Sequence, residues 1–149
     1  MKNFIFAFIL FALLTVNAAP FQLNKRATTF DNCTGFGFVD SLTVKIGTDP
    51  PVSGKNESFD VSGKLTKNDI TKNQTLLAIA YEDTAGELIA DAYIQAFNNS
   101  IKAGTQFTIS ASDVPTPDLP NKYSLIVAVV DPAFEGIIAC ATANFGVKI

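Results

Sequence analysis

From Phe30 onward, apolar residues alternate with polar ones in short runs that Gly, Pro, Asn and Asp interrupt, and no stretch carries the period of an amphipathic helix. Period two places successive side chains on opposite faces of a strand. The chain is therefore read as all-β. The expected strands are Ser41 to Ile46, Phe59 to Leu65, Thr75 to Tyr81, Leu88 to Phe97, Gln106 to Ser110, Tyr123 to Val130, and Ile137 to Val147. About seven short strands divided by turns point to a β-sandwich. The turns have their own chemistry. Asp49-Pro50-Pro51 fixes φ and removes donors, Ser53-Gly54 and Ala85-Gly86 allow positive φ, and Pro115, Pro117 and Pro120 punctuate a loop.

Alternation also assigns faces. Phe59, Val61 and Leu65 oppose Asp60, Ser62 and Lys64, and Phe107 and Ile109 oppose Thr108 and Ser110. Along Leu76 to Ala80 and Leu125 to Val130 both faces are apolar. Two causes fit that pattern: central strands covered on both sides, or strands beside an interior larger than side chains need.

The start of the chain differs from the rest. Lys2 precedes an apolar run from Phe4 to Val16, and small residues come next near Ala18, which is the layout of a secretory signal over residues 1–18. The run is short for a membrane span, and Pro20 stands where a membrane helix would have to continue. Residues 19–29 form an expected tail or short propeptide with a dibasic pair at Lys25-Arg26, and residues 30–149 form one domain. Removing the signal takes away Lys2 alone among charged residues, so the formal charge of −3 becomes −4. The remaining basic residues are scattered, which argues against nucleic acid.

In an oxidising compartment the two cysteines, Cys33 and Cys140, are expected to form one intramolecular disulfide. Sequons at Asn56, Asn73 and Asn98 fall between expected strands and are the expected glycan sites; a fourth, at Asn32, adjoins Cys33. The absence of histidine removes the Ser-His-Asp and Cys-His nucleophile arrangements and histidine metal sites. Glu82, Asp83, Glu87 and Asp91 surround one expected hairpin, and a solvated tip explains them better than a glycosidase-type carboxylate pair. No enzyme activity, cofactor or metal is expected.

Several landmarks occur in a telling order: Phe30-Asp31-Asn32-Cys33, the strand Val39 to Ile46, Pro50-Pro51-Val52-Ser53-Gly54-Lys55, and Phe59 to Leu65. They continue with Lys102-Ala103-Gly104, Phe107-Thr108-Ile109, Val114-Pro115, Leu119 to Tyr123, Ile138-Ala139-Cys140 and Phe145. Together they resemble the MD-2-related lipid-recognition family, and most of all the fungal phosphatidylglycerol/phosphatidylinositol transfer proteins and the Niemann-Pick type C2-like proteins. The resemblance implies an immunoglobulin-like β-sandwich with an apolar cavity between its sheets, and pairing of Cys33 with Cys140. Two features depart from the pattern: the middle of the chain has no second cysteine pair, and Asn121 replaces a turn glycine.

On that reading the protein is secreted and holds a phospholipid or, second, a sterol. Its expected partners are that lipid and, transiently, a membrane surface, and it is expected to act as a monomer. The expected lining is Val61, Leu77, Ile79, Tyr81, Ile94, Phe107, Ile109, Leu125, Val127 and Val129, taken from apolar faces and double-sided runs. The alternative is a secreted immunoglobulin-like interaction or effector-type module in which the same residues fill an ordinary core. Glycosidase treatment of protein from its native host should lower the intact mass, with Asn56, Asn73 or Asn98 converted to Asp at the released site. An unchanged mass would count against the secretory reading.

Overall fold

The computed structural model describes residues 27–134 and 136–146. The expected signal segment 1–18, the tail residues 19–26 with Lys25-Arg26, and Val147 lie outside them. Eight strands form among the described residues: β1 Asp31–Asn32, β2 Asp40–Ile46, β3 Asn56–Lys64, β4 Leu76–Glu82, β5 Tyr93–Ala96, β6 Gln106–Pro115, β7 Tyr123–Asp131 and β8 Gly136–Phe145. The only helical turn among those residues is a 3-10 turn at Pro132–Phe134. The fold is all-β, and each of the seven expected strands is present.

The strands lie in the order β5-β4-β7-β8-β2-β3-β6, which folds over on itself as a sandwich. β2 makes the fold-over. Its first residues, Asp40 and Ser41, run parallel to Ala139 and Cys140 of β8, while Leu42 to Ile46 run antiparallel to β3. β1 continues along the same edge of β8, through Asp31 opposite Thr142 and Asn32 opposite Ala141. That register carries the chain directly to the Cys33–Cys140 disulfide, whose Cα atoms are 5.6 Å apart. The bridge spans 107 positions of sequence. In the chain-entropy model a loop of that length contributes about 4 to 5 kcal/mol.

The inner faces obey the alternation. From one sheet come Leu77, Ile79 and Tyr81 on β4, Leu125, Val127 and Val129 on β7, and Ala139, Ala141 and Ala143 on β8; from the other come Phe59, Val61, Phe107 and Ala111. All are buried. Leu65, Ile70, Phe97 and Phe107 complete the core at one end, where the Phe97 and Phe107 rings meet edge to face at 5.7 Å. At the other end Tyr123 stacks on Phe145 at 4.7 Å and lies 6.1 Å from Tyr81.

Two expected strands have different limits. The stretch expected as one strand from Leu88 to Phe97 is strand only at Tyr93–Ala96. Leu88 keeps a single bridge to Glu82, Ile89 N–H donates to Tyr81 O, and Ala90 to Ala92 leave the sheet. Ala-Asp-Ala has little of the β-branched or aromatic character that holds a strand edge. β6 is longer than expected and reaches Pro115. Between Glu57 opposite Val114 and Phe59 opposite Ala111 the register shifts, so Ser112 and Asp113 together oppose Ser58. Asp113 adopts φ 57°, the left-handed residue of this β-bulge. Gly54 and Gly86 take positive φ as their turns require, whereas Asn121 does not and Asn73 does, at φ 63°.

A buried carboxylate ties one corner together. Asp131, 1% exposed at the end of β7, accepts hydrogen bonds from the Gln74 amide (3.0 Å), the Thr75 hydroxyl (3.0 Å) and the Ala133 N–H (2.9 Å). Burial alone would raise its pKa, but these three donors outweigh burial and hold the carboxyl below its ordinary value. A depressed folded pKa gives stability that is present above the unfolded value, about 3.9, and is lost as pH falls through the folded one. Asp131→Asn should therefore cost roughly 1 to 3 kcal/mol in denaturant unfolding at pH 7. The loss of stability below about pH 4 should be shallower in the variant than in the wild type.

Candidate functional site

β5 and β6 are the two edge strands left when β2 joins the sheets, and they face each other across a seam. One hydrogen bond crosses it: Gln95 Nε2 donates to Ser110 O at 3.1 Å, and the Tyr93 hydroxyl donates to Gln95 Oε1 at 2.8 Å. Beside this bridge, where residues 90–92 leave the sheet, a pocket of ≈ 360 Å³ opens between the sheets. Its floor is buried Ile79, Tyr81 and Thr116, and its walls and rim come from Ala90 to Ile94 and from Pro115 and Pro117. Sites for small ligands run from about 300 to 1,000 Å³ and are mainly apolar with a few placed polar groups. This one fits that description near its lower bound.

The bulge in β6 supplies the polar floor. Phe107, Ile109 and Ala111 point inward at period two; the extra residue moves the inward positions to Val114 and Thr116. Backbone pairing holds Thr116 there, its N–H donating to Lys55 O and its carbonyl accepting from Gly54 N–H. The Thr116 and Tyr81 hydroxyls are both buried and lie side by side, in contact with each other and with no other polar partner in the chain. Burial raises the Tyr81 phenol above its ordinary pKa; Thr116 beside it works in the other direction and the Glu57 carboxylate adds to the rise. Glu57 is itself buried, with Oε1 accepting from Thr48 N–H (2.8 Å) and Ser58 N–H (2.9 Å). Tyr123, next to Tyr81, is pushed up to about 12, first by burial and then by the neighbouring Tyr81 and Asp49.

Among the ten residues expected as lining, the structure brings Ile79 and Tyr81 to the pocket floor and Ile94 to its rim. Ile94 does not face inward. It pairs with Ala78 on the outer face and is 51% exposed, while Tyr93, opposite Ile79, holds the inward position. Ile109 is half-buried beside a smaller, more polar cavity of ≈ 190 Å³ on the other side of the Gln95 bridge. Val61, Leu77, Phe107, Leu125, Val127 and Val129 are fully buried in the core and line neither space. Tyr93 and Thr116 are absent from the expected lining. The alternation pattern extends the strand of Tyr93 back to Leu88 and so reverses its parity, and Thr116 sits between prolines that read as loop.

The acidic hairpin is a turn device: Asp83 Oδ1 accepts from Ala85 N–H (2.9 Å) and Glu87 N–H (3.0 Å). No group of three or more metal-ligating side chains occurs among the described residues. No helix among them is long and apolar enough to cross a membrane.

No family model matches the chain, and no curated protein matches it. Solved structures similar to it include a beta-glucuronidase from glycoside hydrolase family 2, at 14% identity and TM-score 0.43 over 73% of this chain. A calcium-binding mutant of Bacteroides uniformis beta-glucuronidase 2 is similar at 13% identity and TM-score 0.43 over 77%. The chain spans 11% and 14% of those two proteins, and likeness this distant carries no argument.

The position of Val127 separates core from site. Because Val127 has no exposed surface, Val127→Phe should overpack the interior and cost about 1 to 3 kcal/mol in thermal or denaturant unfolding. A Val127→Phe protein as stable as the wild type would mean open space between the sheets at that level.

Proposed function

We propose that this chain is a secreted lipid-binding and lipid-transfer protein that takes part of a phospholipid or sterol between its two sheets. The observation that carries the reading is the apolar pocket at the seam, open to solvent beside the one hydrogen bond that spans the two free edges. Transfer requires no catalytic residue. An acyl chain or ring exchanges contact with membrane for contact with Ile79, Tyr93 and Pro117, at about 0.8 kcal/mol for each methylene kept from water. Exposed Leu88 and Ile94 stand at either end of the detached stretch that forms the rim. They offer an apolar contact for a membrane surface while the lipid passes. The long-range disulfide and the sequons support the secreted setting.

The tight packing of Val61, Leu125 and Val127 favours a second reading, an interaction module with a filled core. Uptake separates the two. Protein incubated with liposomes of phospholipid, with or without sterol, and then recovered should carry one lipid per chain in native mass spectrometry. Ala92→Trp, which fills the pocket from its wall, should lose most of that uptake with little change in melting temperature. No uptake of phospholipid, sterol or fatty acid would leave the interaction module as the better account.

A further inference from the structure

Three phenylalanines are exposed among the described residues, Phe36 (52%), Phe38 (71%) and Phe134 (56%), and the topology brings all three to one end of the sandwich. β1 runs antiparallel to β8 and leaves the sheet there; β2 runs parallel to β8, so both of those strands enter from that end. Phe36 and Phe38 lie in the connection from Cys33 to β2, and Phe134 in the turn just before β8. Single exposed apolar residues are ordinary, but large aromatic ones gathered at one end of a molecule mark a contact surface. The loop that carries two of them is anchored on both sides of its base. Cys33 is bonded to Cys140, and Asp40 accepts from the Thr66 N–H (3.0 Å) and hydroxyl (2.9 Å). Between these anchors Gly35 and Gly37 take φ 90° and 72°, with open space around both, and the loop turns its rings outward.

Charge separates the two ends. β3 finishes at the phenylalanine end, and β4 and β6 begin there, so Lys64, Lys67, Lys72 and Lys102 are gathered with the rings, all four exposed. Lys67 Nζ stands 4.3 Å from the centroid of the Phe38 ring. Two described carboxylates reach the surface at that end, Asp40 and Asp69, and both already accept hydrogen bonds, Asp69 from the Ala103 N–H at 2.7 Å. The opposite end holds Asp49, Glu82, Asp83, Glu87, Asp91 and Asp118 against Lys55 and Lys122. The chain as a whole is acidic, with a formal charge of −3, so the phenylalanine end inverts its sign locally. An anionic surface would attract this end and repel the other, which orients the molecule before contact.

We infer that the loop of Phe36 and Phe38, with Phe134, Lys64 and Lys67 beside it, docks this protein on an anionic membrane surface. The rings enter the headgroup layer and leave water, while the lysine ammonium groups stay at the level of the lipid phosphates. A flat apolar face would suit a protein partner; two rings on a glycine-jointed tip flanked by lysines suit a surface that yields around them. Two expected glycan sites, Asn73 and Asn98, open at the same end, but they precede β4 and follow β5, three and four strands from β2. That is about 14 and 19 Å along the sheet, so sugars rooted there stand beside the loop. The inference goes beyond lipid transfer, which needs no contact at this end. The pocket lies toward the far end of β4, about 20 Å away along its 7 residues, so docking and uptake are separate contacts.

Co-flotation of the protein with vesicles tests this, using phosphatidylcholine alone and phosphatidylcholine mixed with phosphatidylglycerol. The wild type should bind the mixed vesicles at least about tenfold more tightly than the neutral ones at low salt, and about 0.5 M salt should remove most of that difference. Phe36→Ser with Phe38→Ser should weaken binding to the mixed vesicles by about tenfold or more, with the melting temperature unchanged because the rings are exposed. Lys64→Glu with Lys67→Glu should abolish the preference for the anionic lipid and leave binding to the neutral vesicles as it was. Where one of these variants folds poorly, the other decides together with the wild-type ranking. Val52→Ser, which removes an exposed apolar side chain from the opposite end, should float as the wild type does. Absent flotation, flotation indifferent to lipid charge, or an equal loss in Val52→Ser would overturn the inference. So would a dimer in sedimentation that the phenylalanine variant alone dissolves, with no vesicle binding, because the rings would then join two copies. Native mass spectrometry of the same samples reads lipid uptake independently: uptake without flotation would remove the docking loop and leave transfer standing, and flotation without uptake would do the reverse.

Discussion

A β-strand cannot leave its outer row of N–H and C=O groups without consequence, and in this chain the management of free edges determines where everything else goes. β2 closes one side of the sandwich by pairing with a different sheet at each end. β1 and the Cys33–Cys140 bridge complete that side. The unpaired rows are thereby moved to β5 and β6. β5 is four residues long and β6 carries a bulge, two devices by which natural sheets keep an edge from recruiting another strand. Both devices open space: the short strand releases residues 90–92, and the bulge turns Thr116 inward. The pocket is a by-product of edge protection.

The inner faces are legible in the sequence because burial imposes period two wherever a strand is half-covered. Phe59, Val61 and Phe107 can be placed from their neighbours alone, as can the turns at Gly54 and Gly86. What alternation cannot supply is parity across an irregularity. A strand started at Leu88 keeps Ile94 in phase with the core, but the detachment at Ala90 to Ala92 lets the chain rejoin with Tyr93 inward. At Asp113 an inserted residue likewise exchanges faces for every later position of the strand. Both pocket-forming features sit at such phase breaks, which have no sequence signal stronger than an Ala-Asp-Ala stretch or an Asp near a proline. The core is for that reason more legible than the site.

The double-sided apolar runs of β4 and β7 illustrate the same limit. The structure attributes them to central position, since each has a neighbouring strand on both sides. On the outer face Ala128 and Cys140 are buried, and Leu76, Ala78, Ala80, Ile126 and Val130 are half-covered. Many of these are small. A row of Ala lets neighbouring backbone and the disulfide shield the face without a covering helix. On the inner side Ala139, Ala141 and Ala143 of β8 lie opposite Val129, Val127 and Leu125, so large residues on one strand are matched by small ones on the next. That matching fills the middle of the sandwich, beside which the seam pocket opens.

A filled middle and an open seam together set how a lipid carrier of this shape would work. The core residues Val61, Leu125 and Val127 hold the sheets at a fixed separation at one depth, so a ligand cannot run through the whole interior as it would in a sandwich splayed along its length. Access is instead lateral, at the place where only the Gln95–Ser110 bond, worth about 0.5 to 1.5 kcal/mol, joins the sheets. The ≈ 190 Å³ cavity lies on the other side of that bond, so opening the bond would lengthen the available space toward Asn98, and a two-chain phospholipid would need that added length more than a single-bodied ligand would.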